Sequence, residues 1–336
     1  TMVPADKKVS FVADSATAQV KSVLLQGDEV SRVADGSSSF RYAVTVTDAN
    51  GNPVADQTVT AQADKPDHVT VAADGATNAA GQTTVTLTST TTAVSDIQVS
   101  VRAGSTGTMV DADKKVSFVA GAVSPDKSDF VAAPDHIVAD GQAVSTLTLT
   151  LRDSNGNAVS GQAATLSAKV AGAGDTQVTG FTEGTAGSYT AGLTGTEAGQ
   201  ATVQAMQGGR PASNDKPAVT LTADAGTAQV SALAVTQDGA KADGEDADSV
   251  QVQVTDAHDN PVADQAVALT ADNGAVIAKT VTTDEKGQAT APLTSMVAGA
   301  STVTATMLNG NYDTTEVHFV ADSATAQVKS VLLQGD

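Results

Sequence analysis

Hydrophobic and polar positions alternate most strictly in Tyr42-Ala-Val-Thr-Val-Thr-Asp-Ala-Asn-Gly-Asn-Pro-Val-Ala-Asp-Gln57. Tyr42, Val44 and Val46 fall on one side and Ala43, Thr45 and Thr47 on the other, the two-residue period of a strand with one buried and one wet face. The alternation breaks at Asp48 and runs into Asn50-Gly51, a turn dipeptide because both residues tolerate positive φ. Pro53 has no N–H to give to a ladder, so it belongs to the turn. The pattern predicts a strand, a polar hairpin and a second strand.

The pattern recurs. Leu147-Thr-Leu-Thr-Leu-Arg-Asp-Ser-Asn-Gly-Asn-Ala-Val159 repeats it 105 residues on, and Val250-Gln-Val-Gln-Val-Thr-Asp-Ala-His-Asp-Asn-Pro-Val262 repeats it 103 residues after that. Only His258-Asp259 replaces Asn-Gly, and Asp still suits a turn. A fixed period of this size in 336 residues predicts three domains, each large enough for its own core.

In the first repeat the spacing predicts strands over Gln19–Leu25, Arg41–Asp48, Gln57–Ala63, His68–Ala72, Thr83–Leu87 (Val85 and Leu87 inward), Asp96–Arg102 and Lys114–Val119. Seven short strands separated by turn signals such as Ala34-Asp35-Gly36 are the signature of a two-sheet sandwich. The second repeat matches Asp140-Gly141 to Asp35-Gly36, and Ala164 and Leu166 to Val59 and Ala61. The third matches Asp243-Gly244, Val267 and Leu269. The fold class read here is all-β, three tandem immunoglobulin-like β-sandwich domains in an extended rod.

The expected boundaries are 15–121, 122–224 and 225–321. Residues 1–14 read as the last strand of a preceding repeat and 322–336 as the first strand of a following one, because Phe11–Asp28 reappears letter for letter as Phe319–Asp336. Both end segments lack most of their own domain's core, and the chain reads as a piece of something longer. The junctions are short and carry no Gly/Ser run; the longer one, Gly121–Lys127, holds Pro125. With strands rising about 3.3 Å per residue, three domains end to end give a rod on the order of 110 Å.

Composition narrows the picture. Hydrophobic residues make up 40% of the chain but aromatics only 3%, with no Trp, so the cores must be aliphatic. The absence of Cys leaves a cytosolic protein or a bacterial surface protein that avoids thiols, and tandem Thr-rich strands favour the second. A net charge of −20 argues against nucleic acid and against anionic lipid, and fits a solvated, mutually repelling surface. No apolar run approaches the roughly 20 residues that would span a bilayer as a helix.

The Asp-Ala-Asn-Gly-Asn-Pro-Val of 48–54, the Val-Ser-Phe-Val-Ala-Asp of 9–14 with its variants at 116, 219 and 317, and the Ala-Asp-Gly of 34–36, 139–141 and 242–244 resemble the bacterial immunoglobulin-like Big-1 repeats of the invasin/intimin family of inverse autotransporter adhesins. The resemblance covers all three repeats. It implies a stalk exported through an outer-membrane barrel that lies outside this fragment, displayed on the bacterial surface, and serving attachment to host or other cells. Partners implied are a host-cell or extracellular-matrix protein, with no nucleic acid, no membrane insertion by these residues, and a monomeric rod. The disulfide-bearing tip domain common in that family is not among these Cys-free residues.

Candidate chemistry is sparse. His68, His136, His258 and His318 occupy different places in the repeats, so nothing gathers them into one metal or catalytic site. There is no nucleophile elbow and no phosphate loop, so no enzyme and no cofactor are read. Asp243, Glu245, Asp246 and Asp248 are close-spaced carboxylates of the kind hard Ca²⁺ takes, although the cluster lacks the full loop spacing and a closing Glu. A solvated loop is the other reading. Tyr42 is expected in the core, which leaves few aromatic platforms for a sugar. No Arg-Gly-Asp is present. Two functional classes follow: a structural spacer that holds an adhesive tip away from the cell, or a module in which one repeat, with the divergent second as the first candidate, itself contacts a receptor.

Overall fold

The computed structural model describes residues 9–332 and 334. The expected end strands fall partly outside those residues, at 1–8 and at 333, 335 and 336.

Every regular element longer than a single 3-10 turn is a strand, and the strands surround three separate hydrophobic cores, here called the first, second and third units. In the first unit, Gln19–Leu25, Ser39–Thr47, Gln82–Ser89 and Val69–Ala73 form a four-stranded antiparallel sheet. Opposite lie two three-stranded groups. One is Ser31–Val33, Val116–Val119 and Val94–Ile97; the other is Val59–Ala63, Val99–Ala103 and Val110–Asp111. The second unit packs Asp129–Ala133, Ser145–Thr150 and Ser188–Thr194 against His136–Val138, Ala218–Thr222, Gly199–Gln207 and Leu166–Gly172. The third pairs Gln229–Gln237, Asp248–Thr255 and Gln288–Thr294 on one side, with Ala266–Ala271, Gly299–Met307 and Tyr312–Phe319 on the other.

The alternation dictates the burial. Tyr42, Val44 and Val46 are buried with Val85 and Leu87; Leu147 and Leu149 do the same in the second unit, and Val250 and Val252 in the third. Aliphatic side chains dominate each interior; among the buried aromatics, Phe40 meets Phe118 and Phe130 meets Phe181 as tilted pairs.

Three expectations need correction. The single strand expected over Asp96–Arg102 is two. Asp96 takes φ 54°, and the chain changes partner at Gln98, whose N–H donates to the Asp64 carboxylate at 2.9 Å. Ser31–Val33, which pairs parallel to Val116–Val119, went unpredicted because all three residues are exposed and show no alternation. In the second unit, a 3-10 turn at Ala163–Thr165 displaces the strand, so Leu166 rather than Ala164 takes the place of Val59. The bonds from Gly104 N to Thr58 O and from Gly208 N to Thr165 O fix that equivalence.

Candidate functional site

The residues that the sequence repeats most faithfully meet at the junctions between units. Each hairpin is built alike. Asp48, Asp153 and Asp256 accept at Oδ1 from the backbone N–H groups two and four residues on, at 2.8 to 2.9 Å. Gly51 and Gly156 hold φ 86° and 87°, where a Cβ is penalised; Asp259 holds φ 63° in the third hairpin at a cost of roughly 1 kcal/mol. The last Asn of each hairpin returns its side-chain N–H to Oδ2 of the same Asp at 2.9 Å.

That Oδ2 also takes the chain entering the unit. Asp14 N–H reaches Asp48 at 3.2 Å, Gly121 N–H reaches Asp153 at 2.8 Å, and Asp224 N–H reaches Asp256 at 2.9 Å. These bonds hold the carboxyls below the usual range. For Asp48, the Asn52 side chain is the main cause, and the group falls to about 2. Burial pushes Asp153 and Asp256 up, but the bonds from Asn157 and Asn260 and from the backbone outweigh it.

Two junctions also carry a second tie, from the hairpin of one unit to the far end of the unit before. Asn157 Oδ1 accepts from Ala93 N–H at 2.8 Å, and its Nδ2 donates to Thr91 O at 2.9 Å. Asn260 repeats this on Ala198 N–H at 2.7 Å and Thr196 O at 2.8 Å. At the first junction Asn155 adds a bond to Ala34 O at 3.2 Å. At the second, its counterpart His258 helps through its charge to lower the Asp140 carboxyl of the unit before, after the backbone N–H groups of Ala143 and Gln142. The second and third units are thus each held to the unit before through both the linker and an amide clamp, which restricts bending and twisting about the junction. Side-chain to backbone bonds of this kind contribute about 0.5–1.5 kcal/mol each.

The sequence singled out the hairpin for its turn chemistry and missed the clamp. The signal was present: Asn52, Asn157 and Asn260 recur where the turn itself needs only the preceding Gly or Asp. The Ala-Asp-Gly repeats serve the same end of each unit. Asp35, Asp140 and Asp243 each accept two following backbone N–H groups. Each then presents its Gly N–H to a loop at that end, at Thr90 O, Gly195 O and Ser295 O, and the first two of these loops receive the clamps.

This accounts for most of the acidic cluster. Asp243 makes the turn its equivalents make, Asp246 accepts from Lys241 N–H at 3.0 Å, and Asp248 accepts from Ala240 N–H at 2.9 Å. Burial pushes the Asp248 carboxyl up, and its Oδ2 has no partner among the described residues. Among the described residues no group of three or more His, Asp or Glu is placed to hold a metal ion.

The histidines stand apart: His68 in the turn before Val69, His136 at a strand start beside Asp135, His258 in its hairpin and His318 in the last strand of the third core. Tyr42 and Tyr189 are buried and Tyr312 is exposed. An open cleft of about 550 Å³ lies at the first junction between Phe118–Gly121 and Ala158–Gln162, and no ionisable side chain lines it.

The bacterial Ig-like domain (group 1) model matches residues 22–119 and 230–320, and the invasin domain 3 model matches 124–224. Over 335 residues the chain is 32% identical to inverse autotransporter adhesin YeeJ of Escherichia coli (strain K12), covering 95% of this chain and 14% of that protein. The chain therefore spans about a seventh of that relative's length. The Escherichia coli adhesin FdeC superposes with a TM-score of 0.57 at 23% identity, over 93% of this chain and 100% of the other. Invasin, described as a bacterial integrin-binding protein, does so with a TM-score of 0.51 at 23% identity, over 89% and 60%. Those two likenesses speak to the fold alone, whereas the group 1 matches take in more than half the chain and bracket the first and third cores. The chain belongs to the bacterial Ig-like domain (group 1) family.

Proposed function

We propose that this chain is a non-enzymatic stalk segment of a bacterial surface adhesin of the invasin/intimin type, holding an adhesive tip away from the cell for attachment to a host-cell or extracellular-matrix protein. In this reading residues 15–121, 122–224 and 225–321 are the repeats, with parts of neighbouring repeats at 1–14 and 322–336. The rod is monomeric, and a barrel outside these residues anchors it in the outer membrane. The observation that carries the reading is the double tie at each junction. A linker held by Asp153 or Asp256, together with a clamp from Asn157 or Asn260, is what a segment needs to transmit position rather than flex. The chemistry of the surface agrees with it, since the hairpin carboxylates and amides are used on the protein's own backbone.

Deleting the repeats one at a time from the adhesin displayed on cells tests it. A spacer loses adhesion gradually with length, whichever repeat is removed. Abrupt loss on removing one particular repeat, with the others dispensable, would sink the spacer reading and assign receptor binding to that repeat.

A further inference from the structure

We infer that the far end of the third unit is a preformed socket for one more hairpin of the Asp48–Asn52 type. Its occupant is an Ig-like unit of the first unit's sequence, continuing the chain beyond Asp336.

The two filled sockets define the receptor chemistry. In each, a loop anchored by a Gly N–H offers one carbonyl and, two residues later, one N–H to an Asn side chain. The anchoring bonds align the loops: Gly36 N–H to Thr90 O at 3.2 Å, Gly141 N–H to Gly195 O at 3.0 Å, and Gly244 N–H to Ser295 O at 3.0 Å. Thr91 and Ala93 therefore correspond to Thr196 and Ala198, and both correspond to Met296 and Ala298. The third loop is already shaped, because Ser295 Oγ accepts from Val297 N–H and donates to Val297 O, each at 2.9 Å. Among the described residues, Met296 O and Ala298 N–H have no hydrogen-bond partner. Ala93 and Ala198 are half-buried under their clamps, whereas Ala298 is exposed beside exposed Met296 and Val297.

The plug is present at the other end of the chain. Asn52 returns its Nδ2 to Asp48 as Asn157 and Asn260 do to theirs, yet among the described residues it clamps nothing outside its hairpin, and it is exposed where they are half-buried and buried. Residues 319–336 are identical to 11–28, the segment that leads into the Asn52 hairpin. Its Asp322-capped turn at Ser323–Thr325 already has the form of Asp14-capped Ser15–Thr17. A few hydrogen bonds do not offset the entropy of bringing two free molecules together. A covalent linker of this length raises the local concentration into the millimolar range. The geometry therefore points to occupancy within one chain rather than between chains.

Because 319–336 repeats 11–28, appending residues 29–121 after Asp336 extends the chain by one seamless unit. Amide hydrogen exchange at Ala298 is the readout. It should slow about tenfold in the extended chain relative to the 336-residue chain, as a new buried hydrogen bond requires. Replacing Asn by Ala at the appended copy of position 52 should restore fast exchange at Ala298, while Ala93 and Ala198 stay protected and the appended unit's own core amides show that it remains folded. Unchanged Ala298 exchange on extension, or protection that survives the Asn to Ala change, would overturn the inference. Protection in the unextended chain that grows with protein concentration would overturn occupancy within one chain. The inference rests on the spacer reading only for its context: loss of adhesion on deleting one repeat leaves this exchange result untouched, and unprotected Ala298 leaves the adhesion result untouched.

Discussion

Phe11–Asp28 and Phe319–Asp336 are the same 18 residues in two settings, and over the described residues they do not fold alike. Phe319 is 3% exposed in the third core, while Phe11 is 98% exposed. Val20 and Val23 are 7% and 2% exposed, within the strand Gln19–Leu25 that pairs with Ser39–Thr47; their twins Val328 and Val331 are 84% and 88% exposed, and no strand forms over 326–332. The short 3-10 turn between these halves forms in both places, because Asp14 and Asp322 cap it from within the segment, accepting from Ala16 and Ala324 N–H at 3.0 and 2.9 Å. A cap two residues away is a local fact and travels with the sequence. A strand needs a partner edge and a core, and those belong to the neighbourhood.

The widest expected gap between the twins is at the phenylalanine. Phe319→Ala should destabilise the third unit by about 3–5 kcal/mol, the cost of a large core truncation with its cavity. Phe11→Ala should stay within about 0.5 kcal/mol. Urea unfolding of the two variants, read against the parent, decides it, and equal losses would break the comparison.

The same contrast holds in the other direction for the valines. Val23→Ala removes two buried methyls and should cost the first unit about 2 kcal/mol, whereas Val331→Ala should be silent in the 336-residue chain. A denaturation midpoint shifted by Val331→Ala would mean that the second copy is packed after all.

The twins also mark what a sequence reader can see. Alternation at Tyr42–Val46 and its repeats was enough for the fold class, because the period of two is imprinted by a one-sided core. It was not enough to count strands: Ser31–Val33 has no buried face, and the break near Gln98 is made by a distant carboxylate, Asp64. At the candidate site the turn chemistry of Asp48-x-Asn-Gly was legible residue by residue. The clamp was legible only in its recurring Asn and not in what that Asn holds, since the acceptors Thr91 O and Thr196 O are backbone atoms and carry no side-chain signature. The acidic cluster at Asp243–Asp248 shows the converse: one-dimensional charge density looked like a ligand set, while in three dimensions Asp243, Asp246 and Asp248 each serve a backbone N–H.

A hairpin that clamps a neighbour should matter more than one that does not, which extends the comparison to Asn157 and Asn52. Asn157→Ala should reduce the coupling between the first and second units by about 1–2 kcal/mol, the loss of two side-chain to backbone bonds. Asn52→Ala should leave coupling unchanged, although it loosens its own turn. Amide exchange at Ala93 in both variants reads the difference, with deprotection expected only for Asn157→Ala.

The finest distinction lies at the two aspartates that cap the shared turn. Asp14 N–H donates to Asp48 Oδ2 at 3.2 Å, whereas Asp322 N–H has no acceptor among the described residues. The side chain of Asn52 is the main reason the Asp48 carboxyl is lowered to about 2; burial opposes it, and the backbone N–H groups of Asn52, Asp14 and Asn50 reinforce it. A depressed carboxyl favours the folded hairpin at every pH above its unfolded value, and that contribution fades as pH falls through the folded value. The Asp14 amide proton should therefore show a titration step near pH 2 by NMR that the Asp322 amide lacks. Asp48→Asn should erase the step at Asp14 and leave Asp322 as it was. If both amides titrate alike before and after that substitution, the bond from Asp14 to the hairpin does not hold the entering chain in solution. The difference between the twin segments would then reside in the strand alone.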